Sequence, residues 1–178
     1  MEEERYRNFV NEFSNVLYAL TNGRCFSEII CLCIGTDRAT GDSFGPLVGD
    51  KLNCLFKDNE CIRVIGTLNE TVNSNNISEV LQRLEDTYEN PFIIAIDSAI
   101  SNYRTPGDIV VSSESVSLAA GMNRRVEDIG DMSIKGVVAQ RSNNPRCNLN
   151  LLQNTRLSLV MNMANIVASG MYNVIEID

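Results

Sequence analysis

Two short apolar runs constrain this chain more than anything else in it. Ile29-Ile30-Cys31-Leu32-Cys33-Ile34 and Phe92-Ile93-Ile94-Ala95-Ile96 are apolar at every position. A strand with one wet face alternates apolar and polar residues, whereas a run apolar on both faces must be covered on both. Neither run approaches the ~20 residues needed to span a bilayer. Such strands belong in the middle of a mostly parallel sheet with helices above and below. The runs therefore predict an α/β fold, a three-layer αβα arrangement.

The segments around these runs fit that reading. Residues 4–21 carry Phe9, Phe13, Val16, Leu17 and Leu20 at helical spacing, and Asn22-Gly23 ends the pattern. A second helix is expected from Ser43–Pro46 to about Phe56, with Pro46 tolerable only in a first turn. Cys61–Ile65 reads as a strand and Thr67–Asn75 as a polar connection. Asn76 with Glu79 resembles a capping box ahead of a helix bearing Ile77, Val80, Leu81, Leu84 and Tyr88. Asn90-Pro91 stops that helix, and the strand after it is expected to end at Asp97. Asp108–Ser112 and Ile134–Ala139 read as further strands, with a short helix or irregular excursion between them. Arg141–Asn148 reads as a loop. Leu149 to about Ser169 reads as one long helix, with Val174–Ile177 a short strand or ordered tail.

With 178 residues, 1–178 reads as one domain, large enough to fold without metal or disulfides. Its 15 basic and 23 acidic residues give a net charge of -8. That charge opposes a phosphate backbone or anionic membrane surface, so neither nucleic acid nor membrane is an expected partner. The six cysteines are expected as free thiols, Cys31 and Cys33 in the core, Cys25 and Cys147 exposed. The polar, acidic N-terminus is no secretory signal, so a cytoplasmic location is expected.

In an open α/β sheet, ligands bind beyond the carboxyl ends of the strands. Two acidic loops belong there. One follows Ile34 and holds Asp37 and Asp42; the other opens at Asp97. If the two strands are neighbours, Asp42 and Asp97 meet. Two close carboxyls share a proton: the ionised one can take a proton from water and the other can donate one. This is a route to amide hydrolysis without a nucleophilic side chain. The alternatives remain open for each residue. Asp42 is equally placed to brace the helix start, and Asp97 to bond its loop. Asp37 and Arg38 suit a local ion pair, and Arg38 also suits a substrate carboxylate or carbonyl. Asp37, Asp42 and Asp97 are also candidates for Mg²⁺ or Ca²⁺. Gly35, Gly41 and Gly45 open a helix but lack either phosphate-loop pattern.

With no histidine in the chain, Ser98 beside Asp97 is not a triad nucleophile. No spacing supports a Ser-Lys pair through Lys51 or Lys135. The cluster Arg124-Arg125 with Glu127-Asp128 reads as a solvated loop. Met161, Met163 and Met171 read as packing residues. Gln153-Asn154-Thr155-Arg156 is unusually polar between leucines, which makes Arg156 a candidate partner for an acidic loop.

The segment Cys33-Ile34-Gly35-Thr36-Asp37-Arg38-Ala39-Thr40-Gly41-Asp42-Ser43-Phe44-Gly45-Pro46-Leu47-Val48-Gly49 resembles the signature of the spore protease YyaC family. Ile96-Asp97-Ser98-Ala99, Gly130–Gly136 and Leu152–Leu157 resemble it too, so the similarity covers about residues 25–170. That family is related to the spore germination protease and, more distantly, to hydrogenase maturation peptidases. The resemblance implies a phosphorylase/hydrolase-like α/β fold and an aspartic-type peptidase, with sporulation as the setting and the developing spore or forespore as the location. In the germination protease the first catalytic aspartate lies in Pro-Asp-Ala-Leu-Gly-Pro, which matches Gly41-Asp42-Ser43-Phe44-Gly45-Pro46. The second follows a strand in Val-Asp-Ala, which matches Ile96-Asp97-Ser98. Asp42 and Asp97 are thus implied as catalytic, with Thr36, Asp37, Arg38, Ser98 and Arg156 shaping the loops or binding substrate.

The implied partner is a protein or peptide substrate, with small acid-soluble spore proteins the first candidates. Self-association into a homo-oligomer is a further expectation, and no cofactor is implied. Gly41 replaces the proline of the germination protease. The maturation peptidases use a metal-contacting set that includes a histidine, which is absent here. A binding protein that keeps the protease fold, and a carboxylate-metal hydrolase, are the competing expectations.

Overall fold

The computed structural model describes residues 2–117 and 128–176. Five strands form the main sheet: β1 (Ile29–Cys33), β2 (Ile62–Ile65), β3 (Phe92–Ser101), β4 (Ile109–Ser112) and β7 (Met132–Gln140). Their order is β2-β1-β3-β7-β4. All neighbours are parallel except β4, which runs antiparallel to β7. Two further strands, β5 (Val116–Ser117) and β6 (Asp128–Ile129), pair as a small separate ribbon.

The helices are α1 (Glu2–Thr21), α2 (Phe44–Leu55), α3 (Ile77–Thr87), α4 (Pro145–Gln153) and α5 (Leu157–Ile175). The two doubly apolar runs occupy the centre of the sheet, as a strand without a polar face must. Cys31, Cys33, Ile94 and Ile96 point to the side packed by α1, α2 and α5. Ile30, Leu32 and Ala95 point to the other side, beneath α3 and the ribbon. The result is a three-layer α/β arrangement whose second outer layer is part helix, part ribbon.

Five segments differ from the sequence expectation. β3 does not end at Asp97 but continues to Ser101, because β7 stays beside it through Gln140. The long C-terminal helix is two helices, α4 and α5, broken at residues 154–156. There the Asn154 and Thr155 side chains bond back to the carbonyls of Asn150 and Leu151 at the end of α4, and Arg156 is extended, with ψ 125°, before α5 begins. α4 begins at Pro145, inside the stretch expected as a loop, and α5 runs to Ile175 where a strand or tail was expected. Asn76 starts α3 without a side-chain cap to the helix. Its amide instead joins the preceding loop, accepting from the Asn73 N–H at 2.8 Å and donating to the Thr71 carbonyl at 2.9 Å.

All six cysteines are free; Cys31 and Cys33 are buried, and Cys25, Cys54, Cys61 and Cys147 are exposed. Burial pushes the Cys31 thiol up to about 12, which suits an inert packing residue. The charged cluster at Arg124, Arg125 and Glu127 lies outside the described residues. Among the described residues no helix is long and apolar enough to cross a membrane.

Candidate functional site

The first acidic loop leaves β1 through Ile34 and turns at Gly35, whose φ is +146°. A Cβ on Gly35 would lie 2.0 Å from the Asp42 carbonyl oxygen, so only glycine fits. The Thr36 N–H donates to that same carbonyl at 3.1 Å. The loop thus folds back to a 3₁₀ turn, Gly41–Ser43, directly ahead of α2. The close approach continues at Gly45, where a Cβ would sit 2.1 Å from the Ile34 carbonyl oxygen. These glycines let α2 start against the end of β1, which carries Asp42 over the sheet edge.

The second acidic residue stands on a strand rather than after one. Asp97 is level with Lys135 of β7. On the other flank β1 has already ended: its last contact with β3 is the Ile34 N–H donating to the Ile96 carbonyl at 2.7 Å. Asp97 therefore opens onto a cleft of about 500 Å³, lined by Ile34, Gly35, Thr36, Asp37, Arg38, Asp42, Thr71, Asn73, Ser74, Asn75 and Asp97.

Ser98 touches both carboxyls. Its hydroxyl donates to Asp42 Oδ1 at 3.2 Å, and its backbone N–H donates to Asp97 Oδ1 at 2.7 Å. Burial raises the Asp42 pKa, while the Ser98 hydroxyl and the Thr36 backbone N–H act in the opposite sense by favouring the ionised form. Burial first, and the Asp42 charge second, push Asp97 up to about 7; the Ser98 N–H and the Lys135 ammonium oppose that rise. Asp97 keeps part of its surface open to solvent. The Asp42 charge thus adds to burial in holding the proton on Asp97.

The remaining sequence candidates are placed as follows. Thr36, Asp37 and Arg38 line the cleft, and Asp37 and Arg38 are exposed. The Thr36 hydroxyl accepts from the Arg38 N–H at 3.3 Å and reaches Asp37 Oδ1 at 3.5 Å. Among the described residues no ion pair joins Asp37 to Arg38 or to Arg156. Arg156 is exposed in the turn between α4 and α5, outside the cleft lining. That turn reaches the site through Gly41, where a Cβ would meet the Leu152 carbonyl and the Thr155 hydroxyl, both at 2.9 Å. Among the described residues no three acidic or thiol side chains are grouped to hold a metal ion, so Asp37 does not join Asp42 and Asp97 as a ligand set.

Two parts of the site escaped the sequence reading. One is Lys135, set beside Asp97 by strand register. The other is the wall Thr71, Asn73, Ser74 and Asn75, which reads in sequence only as a polar connection. The clue to the wall was its position after a strand that neighbours β1. Asp131, by contrast, lies away from the cleft: it pairs with Arg24 at 3.0 Å and accepts from the Ile93 N–H at 2.9 Å.

The model of a family described as "Protein of unknown function (DUF1256)" matches residues 2–170. The chain belongs to this family. It is 38% identical over 177 residues to the "Uncharacterized protein YyaC" of Bacillus subtilis (strain 168), covering 95% of this chain and 84% of that protein. The family resemblance drawn from the motifs is therefore correct. Among solved structures, the [NiFe] hydrogenase maturation protease HycI from Thermococcus kodakarensis KOD1 superposes with a TM-score of 0.58 over 90% of this chain and 99% of its own, at 14% identity. At that identity the likeness establishes a shared fold, and this DUF1256 member has the α/β fold of that maturation protease.

Proposed function

We propose that this protein is a peptidase that hydrolyses amide bonds of a protein or peptide with Asp42 and Asp97 as a water-activating pair. One observation carries the reading: two half-buried carboxyls, each bonded to Ser98, share an open cleft at the carboxyl edge of a parallel sheet. Asp97, the more strongly raised, is the proton donor of the pair, and Asp42 is the base. The Asp42 carboxylate takes a proton from water as the water oxygen adds to the substrate carbonyl carbon. Asp97 gives its proton to the carbonyl oxygen as charge develops there. The proton then held by Asp42 passes to the departing nitrogen, the C–N bond breaks as one hydroxyl of the tetrahedral carbon returns its proton to Asp97, and an amine and a carboxylic acid leave. Ser98 orients both groups, so that the geometry is set before substrate arrives.

The shared fold with a maturation protease supports a polypeptide substrate, although fold alone does not fix chemistry. The motif resemblance supports a setting in sporulation and small acid-soluble spore proteins as the first substrates to try. The test is mass spectrometry of those proteins after incubation with wild type, Asp42→Asn and Asp97→Asn. Cleavage by wild type, reduced about 10²–10⁴-fold in each variant, is expected from the loss of one acid–base partner. Folded wild type that leaves them intact, or variants that cut as well as wild type, would overturn the proposal.

A further inference from the structure

β1 and β3 are neighbours of unequal length, and the difference leaves a vacant row in the sheet. β1 pairs with β3 only as far as Cys33 opposite Ile96, followed by the Ile34 bond. β3 then runs on to Ser101 with β7 on one flank and, among the described residues, no strand on the other. On the β2 side, Val72 bridges to Ile34 and its carbonyl accepts from the Gly35 N–H at 2.7 Å. The chain of β1 leaves the row at Gly35, turning toward Asp42. What remains in line with β1 is the cleft, with the Thr71–Asn75 loop on one side and Asp97 on the other. Adjacent strands lie about 4.8 Å apart, so the two flanks of a missing strand stand about 10 Å apart.

Beyond Ile96 the β3 flank faces no paired strand among the described residues. Strand residues turn alternate N–H and C=O pairs to each side. Ile96 bonds toward β1, so Ser98 and Ile100 turn the same way. The irregularity near Ala99 adds Val138 to β7 and leaves the alternation of β3 intact. The Ser98 N–H is taken by Asp97 and the Ile100 carbonyl by a long 3.4 Å contact from Arg141. The Ser98 carbonyl and the Ile100 N–H turn to this flank, where among the described residues no strand lies beside them.

We propose that the cleft is a strand-wide slot that takes a substrate polypeptide in extended form, as a continuation of the β1 row hydrogen-bonded to Ser98 and Ile100 of β3. This rests on the peptidase reading and specifies its substrate class: an unfolded or loosely held segment, not a folded surface. Backbone pairing supplies affinity with little demand on sequence. On the opposite wall Asn73 is held within its own loop by Thr71 and the Asn75 N–H, and the Asn75 side chain is exposed. Three cleft carboxyl groups (Asp37, Asp42 and Asp97) against Arg38 favour a neutral or basic segment. A segment in this row presents its carbonyl groups beside the aspartate pair.

The test uses the full chain carrying Asp97→Asn, with random linear peptides selected by display, so that turnover does not consume the probe. Binding of a selected peptide should slow hydrogen exchange at the Ile100 amide and weaken about tenfold in Ile100→Pro, which removes one hydrogen bond. N-methylation along the peptide should interfere at alternate residues and leave the residues between them unaffected. That measurement leaves the protein untouched and serves if Ile100→Pro fails to fold. Absence of enriched peptides, interference without the two-residue period, or protection elsewhere on the surface overturns the slot. Peptides that bind in the slot but survive wild type intact overturn the peptidase reading and leave the slot standing.

Discussion

The Ser98 hydroxyl donates to Asp42 Oδ1 at 3.2 Å, across 56 residues of chain. The same residue's N–H holds Asp97 at 2.7 Å. Because β3 does not stop at its aspartate, the residue after it remains strand and projects to the α2 side, where the turn holding Asp42 begins. The bridge depends on three things: β3 extending past β1, Gly35 bending the loop inward, and Gly45 letting α2 start close.

Ser98→Ala removes one bond to the ionised form of Asp42. The Asp42 pKa should rise above its already raised position, since that hydroxyl is a lowering influence. Carboxyl NMR titration reads the change, and stability should fall by about 1 kcal/mol. An unmoved Asp42 titration contradicts the bridge.

Asp97 makes the fold less stable as pH rises. Its folded pKa of about 7 lies above the ordinary 3.8, so the folded state binds more protons than the unfolded chain between those values. Stability must then fall as pH climbs from about 4 to 7 and level off above. Denaturant melts should show this slope in wild type and a shallower one in Asp97→Asn. Activity should also decline above about pH 7, as the donor loses its proton.

Gly35→Ala puts a methyl group 2.0 Å from a backbone oxygen, at a φ of +146°. The loop must move, at a cost of about 1–3 kcal/mol. Thermal melts should register the loss, and the Asp42 titration should shift in the same variant as the turn is displaced.

Asn76→Asp separates a helix cap from a loop brace. Aspartate serves as well as asparagine at an N-cap, so a capping residue tolerates the change. Here the amide donates to the Thr71 carbonyl while its oxygen accepts from the Asn73 N–H. Aspartate has no donor, and a loss of about 1 kcal/mol is expected, with faster exchange at the Asn73 amide. A neutral result shows that the wall does not depend on Asn76.

The central strands were legible because a run without a polar face admits one placement in a soluble sheet. Asp42 and Asp97 were legible because each follows such a run closely. The extension of β3 was not, since Ser98-Ala99-Ile100-Ser101 is held by pairing with a distant strand rather than by its own pattern. The break was masked by leucines that keep helical spacing on both sides; the extended backbone at Arg156 marks it. The asparagine wall was invisible because Asn73 and Asn76 are organised by one another and by Thr71, a network that local propensity does not report. Lys135 reaches Asp97 through β3–β7 register alone.

The coupling of Asp42 and Asp97 underlies the whole account, and carboxyl-carbon NMR titration of wild type and Asp42→Asn measures it without any substrate. Asp97 should titrate near pH 7 in wild type and at a clearly lower pH once the Asp42 charge is removed. An Asp97 midpoint that is ordinary in wild type, or unchanged in Asp42→Asn, would contradict it.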